Sequence, residues 1–370
     1  MPDELRSARR ISRLAVAGGG TAGHVAPGLA VIAELRRQDS TAEAVFIGCE
    51  GGFEGRLVPA RGVPFATIPG TPFARQGFAG KLLAAPNLLR GVRAARRILR
   101  ERRIEVVLGL GGYASVGVVL AARTLGIPVA VHEANVVPGL ANRLVGARVD
   151  LVLLGWEESA EAFPATPTRF TGNPLDSPLE DRPQPSERSL NQPAQLLVTG
   201  GSEGSPFLNQ AAPDLAALLP DVRILHQSGQ GQSDEVRARY RALNLDAQVT
   251  EFIDDLPAEF LRSDFVVATA GSITMAELAA AGTPSLHVPL STAAESHQES
   301  NARAYAQSSG ALWTSESNWN PQALAARIAP LMTDPAAWSQ ASAQKRQSAH
   351  PNAAAKILQS LTDLAATQKH

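Results

Sequence analysis

The chain has 370 residues, 44% of them hydrophobic and 19% charged, with a net charge of −1 at pH 7. This length accommodates two domains of ordinary size, and the composition is that of a globular protein rather than a disordered one. The charge balance gives no global basic character for nucleic acid, and the lone Cys49 excludes an internal disulfide and a cysteine-rich metal site.

Met1–Arg13 is charged and lacks the apolar core of a signal peptide. The longest uncharged stretch near the middle, Val106–Ala122, is shorter than the ~20 residues of a spanning helix. It is also broken by Gly109, Gly111, Gly112 and Gly117. A cytoplasmic protein without a transmembrane segment is expected. Cys49 reads as a small buried hydrophobe at a strand end.

The first strand, Leu14–Ala17, runs into Gly18-Gly-Gly-Thr-Ala-Gly-His-Val-Ala-Pro-Gly28. A glycine loop opening a helix turns backbone N–H groups outward where the macrodipole also favours anions. Gly18, Gly20 and Gly23 satisfy the dinucleotide pattern, although Glu50 is only loosely spaced for a ribose. Pro27 fits a first helical turn. His24 is either a general base beside a bound anion or a helix-capping residue.

Further strands are predicted at Ala44–Ile47, Glu105–Leu108, Pro128–His132 and Asp150–Leu154, with helical patterns between most of them. Two strand ends carry polar or glycine-rich clusters, Gly109-Leu-Gly-Gly-Tyr-Ala-Ser115 and His132-Glu-Ala-Asn135. In an open α/β sheet such ends line the ligand crevice. Phe73–Arg103 holds nine basic residues against Glu101 alone, interleaved with Phe78, Leu82, Leu83, Leu88 and Leu89. That pattern suits an anionic membrane surface or an ordinary amphipathic helix with a solvated basic face.

Ser177–Gln195, with four prolines and no apolar periodicity, has linker composition. Beyond it come strands at Gln195–Thr199, Arg223–His226, Gln248–Phe252, Asp264–Thr269 and Ser285–Val288. Leu196-Leu-Val-Thr-Gly-Gly-Ser-Glu-Gly204 repeats the opening grammar of strand and glycine loop, so each half begins as a nucleotide-binding α/β domain. Gly271-Ser272 opens a second phosphate-type helix, with Glu277 one turn inside, suited to ribose hydroxyls or to complementing the dipole. Asp254-Asp255 is adjacent rather than spaced, which disfavours a metal–diphosphate clamp; no metal and no cofactor are expected. Asn352–Ala366 has helical spacing.

From Gly18 to Ala302 the motifs GGGTAGHVAPGLA, GLGGYAS, HEANVVPGLANR, TGNP, GGSEG, HQSG, EFIDD, TAGSITMAELAAAG and HQESNA occur in order. This series closely resembles the MurG family of bacterial peptidoglycan N-acetylglucosaminyltransferases. The resemblance implies a GT-B α/β fold, two Rossmann-like domains facing across a cleft, with the C-terminal helix returning to the first. It places an acceptor- and membrane-binding domain at 1–175 plus 351–370, and a UDP-GlcNAc-binding domain at 176–350. The implied reaction moves GlcNAc with inversion from UDP-GlcNAc to the MurNAc C4 hydroxyl of lipid I, forming lipid II at the cytoplasmic face of the membrane.

The resemblance also assigns residues. Thr21, Ala22 and Gly23 lie near the donor sugar, and Gly20, Gly111, Gly112 and Tyr113 at the acceptor diphosphate. Asn135 and Gln298 match donor-sugar contacts, and Ser202 a donor-phosphate serine. Ile253 matches a uracil-reading backbone, and Ser272, Ile273, Thr274, Met275, Ala276 and Glu277 the phosphate and nucleoside segment. The membrane patch maps to Phe78, Lys81, Leu82, Leu83, Leu88, Leu89, Arg90 and Arg93. His24 is the candidate base. Three positions depart from the family pattern: Asp176 stands where a donor-contacting arginine is usual, Thr269-Ala270 replaces Arg-Ser, and Glu203 replaces glutamine. Competing readings are another GT-B enzyme such as a glycolipid transferase or UDP-sugar epimerase, a nicotinamide dehydrogenase, and a non-catalytic sugar-nucleotide binder.

Overall fold

The computed structural model describes residues 10–20, 22–52, 54–69, 78–175, 179, 193–291 and 297–367; of Ala22 and residues 78–85 it describes the backbone alone. The expected linker lies almost wholly outside these residues. The chain divides into two compact units, Met1–Asp176 with Asn352–His370, and Ser177–Pro351.

Unit 1 alternates strand and helix: β1 (Arg13–Ala17), α1 (Ala22–Gln38), β2 (Glu43–Cys49), α2 (Glu54–Ala60), β3 (Phe65–Ile68), α3 (Phe78–Glu101), β4 (Val106–Gly109), α4 (Gly112–Thr124), β5 (Val129–Glu133), α5 (Leu140–Gly146), β6 (Leu151–Leu154) and β7 (Thr168–Phe170). The strands form a parallel sheet in the order β3-β2-β1-β4-β5-β6-β7. Its central strands are buried on both faces, so they read as continuous apolar runs. Alternation still sorts the side chains. Leu14, Val16, Phe46 and Leu108 join one core, and Ala15, Ala17, Ile47 and Val107 the other.

Unit 2 begins with β8 (Ala194–Thr199), α6 (Pro206–Ala216), β9 (Val222–Gln227), α7 (Ser233–Ala242), β10 (Ala247–Thr250) and α8 (Leu256–Arg262). It continues with β11 (Phe265–Thr269), α9 (Ser272–Ala281), β12 (Ser285–Val288), α10 (His297–Ser309), β13 (Leu312–Trp313), α11 (Pro321–Thr333) and α12 (Pro335–Gln347). Its parallel sheet has the order β10-β9-β8-β11-β12-β13. The last helix, α13 (Ala353–Thr367), belongs to unit 1. Ile357, Leu358 and Leu361 complete the core shared with α1, and Arg169 on β7 donates to Ser360 Oγ at 2.8 Å.

Some expectations shift. Edge strands β3, β7 and β13 escaped prediction because they are only four, three and two residues long and mostly exposed or partly buried. β10 stops at Thr250, two residues early, and Phe252 is 53% exposed. Pro27 sits in the second turn of α1, not the first, because the helix begins at Ala22; the ring removes the N–H that would bond Gly23's carbonyl. Asp255 is neither clamp nor ligand but the N-cap of α8, accepting from Ala258 N at 3.1 Å. Cys49 is half-buried rather than buried.

Unit 2 also buries a cation. Lys345 on α12 is 2% exposed; its Nζ donates to Ser285 Oγ at 2.7 Å and lies 4.6 Å from the Tyr305 ring centroid. Burial pulls its pKa down from 10.5 to about 7. Between those values the unfolded chain binds the extra proton, so stability rises with pH across that window, by about 1.4 kcal/mol per pH unit. We expect Lys345→Met to be more stable than wild type at pH 6 and to flatten this slope in urea melts. An unchanged slope would assign the pH dependence elsewhere. Leu361→Ala, emptying a fully buried site on α13, is expected to cost about 2–5 kcal/mol in the same melts; a loss below 1 kcal/mol would mean α13 contributes little to the core.

Candidate active site

β1 lies between β2 and β4, so the chain leaves the sheet in opposite directions on either side of the β1–β4 pair. Such a switch point opens a crevice at the carboxyl ends of the strands. Both glycine turns of unit 1 fall there. Gly111 (φ +91°) and Gly112 (φ +76°) occupy conformations that side chains disfavour. A Cβ on Gly112 would also sit 2.6 Å from Gly19 O. The two turns are therefore packed backbone on backbone. Gly111 begins α4 without a side-chain cap.

The first turn is not a simple row of outward N–H groups. Gly18 N donates to Ile47 O at 3.2 Å, and Gly20 N, expected at an acceptor diphosphate, donates instead to Glu54 Oε2 at 3.1 Å. The Ala114 N–H in the first turn of α4 is likewise bonded to Cys49, so only part of the N–H groups opening α1 and α4 can face an anion. His24, in the first turn of α1, lies with Nδ1 3.2 Å from Gly19 O. A carbonyl oxygen only accepts, so Nδ1 carries a proton and Nε2 holds the lone pair in the neutral ring. Nε2 faces the second turn, 3.4 Å from where a Cβ on Gly111 would be. Tyr113 is buried, and burial raises its hydroxyl pKa. Cys49 is held as a neutral thiol, pushed to about 11 by burial and then by Glu54's charge.

The third cluster joins the same sheet edge. Glu133 is 2% exposed and works as a hub. Its Oε1 accepts from Asn135 N (2.9 Å) and Nδ2 (3.2 Å), and its Oε2 from Gly139 N (3.1 Å) and Asn142 Nδ2 (2.9 Å). Burial pushes the Glu133 carboxyl up, while these donors pull it down. Asn135 is thus fixed at the strand end. His132 is packed rather than functional: burial takes its pKa to about 4, and Nε2 donates to Gly172 O at 3.2 Å.

Unit 2 repeats the plan at the β8–β11 switch point. Gly204 (φ +79°) has no room for a Cβ against Ser228 O, which holds the loop containing partly exposed Ser202. α9 starts at Gly271 without a side-chain cap, and its first-turn N–H groups have no acceptor one turn back within the helix. Glu277 and Ala276 are partly exposed, whereas the Met275 side chain lies in the interior and its N–H bonds Gly271 O at 3.0 Å. Only its backbone neighbours, not its side chain, can meet a ligand. Gln298 Oε1 accepts from Ala270 N (3.3 Å) and Leu290 N (3.0 Å), which orients its amide beside the same loop. Ile253's N–H, expected to face a base, donates to Gln227 Oε1 at 3.2 Å, and Gln227 Nε2 donates to Gly201 O at 2.6 Å.

Glu54, Gln227 and Asn142 escaped functional notice in the sequence. The available signal for Glu54 was one of two acids, with Glu50, among Gly48, Gly51, Gly52 and Gly55. Thr21 and Asp176 lie outside the described residues, as do the side chains of Phe78, Lys81, Leu82 and Leu83. Of the rest of the α3 patch, Leu89 is 51% exposed and Arg90 and Arg93 are exposed. Leu88 is partly buried and packs against the core with one part of its side chain. Arg93, Arg96, Arg97 and Arg100 line one shallow groove with Glu101. No helix among the described residues is long and apolar enough to cross a membrane.

Residues 14–154 match the glycosyltransferase family 28 N-terminal domain and residues 195–357 its C-terminal domain. The chain is 37% identical over 353 residues, 94% of its own length and 99% of the relative's, to the UDP-N-acetylglucosamine--N-acetylmuramyl-(pentapeptide) pyrophosphoryl-undecaprenol N-acetylglucosamine transferase of Citrifermentans bemidjiense. It is 40% identical over 325 residues, covering 86% and 90%, to the like-named protein of Syntrophotalea carbinolica. The crystal structure of Acinetobacter baumannii MurG superposes with a TM-score of 0.75 at 29% identity, covering 95% and 99% of the two chains. A putative UDP-N-acetylglucosamine 2-epimerase from Listeria monocytogenes, at 16% identity, TM-score 0.62 and 95% coverage of each chain, shares the fold alone. With two parallel sheets, a glycine turn at each switch point and relatives matched almost end to end, this chain is a GT-B glycosyltransferase and belongs to family 28, among the MurG N-acetylglucosaminyltransferases.

Proposed function

We propose that this enzyme transfers GlcNAc from UDP-GlcNAc to the C4 hydroxyl of the MurNAc sugar of lipid I, with inversion, to give the β-1,4 bond of lipid II. The observation that carries the reading is the paired construction just described: each unit has both a glycine turn and an uncapped helix start at its switch point. Unit 1 is read as the acceptor half and unit 2 as the donor half.

In the proposed step His24 Nε2 takes the proton of the acceptor C4 hydroxyl as its oxygen attacks the donor anomeric carbon. The bond from that carbon to the UDP oxygen breaks, and UDP leaves with the electron pair. The negative charge on the leaving diphosphate meets the N–H groups of Ser272, Ile273 and Thr274 and the positive end of α9. Glu277, one turn further, is assigned to the ribose hydroxyls, and Gln298 and Asn135 to the donor sugar. Ser202 is assigned to the donor phosphate. The exposed basic row of α3, with Leu89, supports peripheral attachment to an anionic membrane, at its cytoplasmic face.

Transfer of labelled GlcNAc to a lipid I analogue tests the reaction; a protein that binds UDP-GlcNAc without transfer would be a binder only. UDP and UDP-GlcNAc are expected to raise the melting temperature, and NAD to leave it unchanged. His24→Ala is expected to lower kcat by about 10²–10⁴, the usual worth of a general base, with the UDP-GlcNAc thermal shift retained. Wild-type turnover in this variant would remove His24 from the chemistry.

A further inference from the structure

Glu54 is 1% exposed, at the start of α2, and faces a turn read as an anion site. Its two oxygens are both engaged by backbone: Oε2 accepts from Gly20 N at 3.1 Å and Oε1 from Cys49 N at 3.0 Å. The carboxylate thus clips the loop after β1 to the end of β2. The fit around it is close. A Cβ on Gly19 or Gly52 would overlap Glu54 Oε1, and one on Gly48 would lie 2.5 Å from its Cγ. The glycines of this region make room for one buried acid.

The bond to Gly20 has a second end. The N–H of Gly20 and the C=O of Gly19 belong to one peptide group. Its N–H donates to Glu54, while its carbonyl oxygen accepts from His24 Nδ1 at 3.2 Å. A trans peptide points these two bonds to opposite sides, and its C–N bond is conjugated. Loading the N–H with a carboxylate moves electron density toward the carbonyl oxygen, and chained hydrogen bonds strengthen one another. A stronger acceptor at Nδ1–H fixes the tautomer and makes Nε2 more electron-rich, the service that a directly bonded carboxylate gives a catalytic histidine.

We propose that Glu54 is a positioning residue for His24, acting through the Gly19–Gly20 peptide: carboxylate to N–H, carbonyl to imidazole. The proposal rests on the reading of His24 as the base. Among the described residues the chain thus supplies the orienting carboxylate at one remove, keeping its negative charge on the far side of the peptide from His24.

Glu54→Gln is nearly isosteric but keeps only one acceptor oxygen for two N–H donors. We expect kcat to fall about tenfold, the lower end of the loss seen when the partner orienting a functional histidine is removed. KM for UDP-GlcNAc should stay within about twofold, because the diphosphate and nucleoside contacts are assigned to unit 2 and Glu54 bonds neither those residues nor Asn135. In the double variant with His24→Ala the Glu54 change should cost nothing further; multiplied effects would mark Glu54 as merely structural and overturn the proposal. A spectroscopic readout needs no turnover. In ¹⁵N-histidine-labelled full-length protein, the His24 resonances, assigned by their loss in His24→Ala, should be those of the Nδ1–H tautomer, and Glu54→Gln should mix in the Nε2–H form. An Nε2–H tautomer in the wild type overturns the relay even if Glu54→Gln fails to fold. If His24→Ala keeps its activity the base reading falls, and the tautomer spectrum still decides whether Glu54 orients the ring.

Discussion

The pairing of β1 with β4 is the constraint on which unit 1 depends. Parallel strands Leu14–Ala17 and Val106–Gly109 lie in register, so the chain leaves both at the same level of the sheet. Because β2 follows β1 on one side and β5 follows β4 on the other, the two exits diverge. The gap between them is where a ligand fits without displacing a helix. It is also where two turns must approach backbone to backbone, and Gly112 against Gly19 shows how closely. The glycines are therefore needed first by the packing of the turns. Their usefulness to an anion follows, because turns without side chains leave the starts of α1 and α4 uncovered.

Buried acids hold this frame. Placing Glu54 and Glu133 beside a site read as diphosphate-binding looks electrostatically perverse. Each carboxylate is instead matched by N–H donors: two backbone groups on Glu54, and two backbone and two side-chain groups on Glu133. A buried carboxylate left without donors would cost several kcal/mol, and here the donors offset that cost. In exchange the loops acquire fixed shapes that short hydrophobic contacts cannot specify. The same division appears in unit 2 with a neutral amide. Gln227 bridges Gly201 and Ile253, so two loops from different strand ends move as one.

What was legible in the sequence follows from this physics. Strands buried on both faces, such as Leu14–Ala17 and Leu196–Val198, announce themselves as apolar runs, and glycine turns follow them visibly. The helical return at Asn352–Ala366 was legible through Ile357, Leu358 and Leu361. Edge strands were not, since one exposed side leaves β7 as Thr-Arg-Phe with no pattern. Nor were Glu54 and Gln227, because they tie in backbone groups 34 and 26 residues away in the chain. A side chain that bonds distant backbone leaves no periodic trace. For the same reason the sequence does not show that the N–H groups of Gly20 and Ile253 bond Glu54 and Gln227.

The departures in the proposed donor half shift its electrostatics rather than abolish them. Thr269 is 6% exposed and lies at the end of β11, just before the start of α9, while Glu203 is exposed on the glycine loop. Neither supplies a cation. A flexible arginine loses rotamer freedom whenever it closes on a diphosphate, about 1.5–2 kcal/mol for a long side chain. Backbone N–H groups at the start of α9 are already fixed, and a preorganised donor of this kind is worth about 2.7–4 kcal/mol when charge develops on its partner. The partial charges on these donors are what give the helix end its roughly half positive charge, fixed in place before a diphosphate arrives. On this reading the leaving UDP is stabilised by the fold itself, through the uncapped helix start at the β8–β11 switch point.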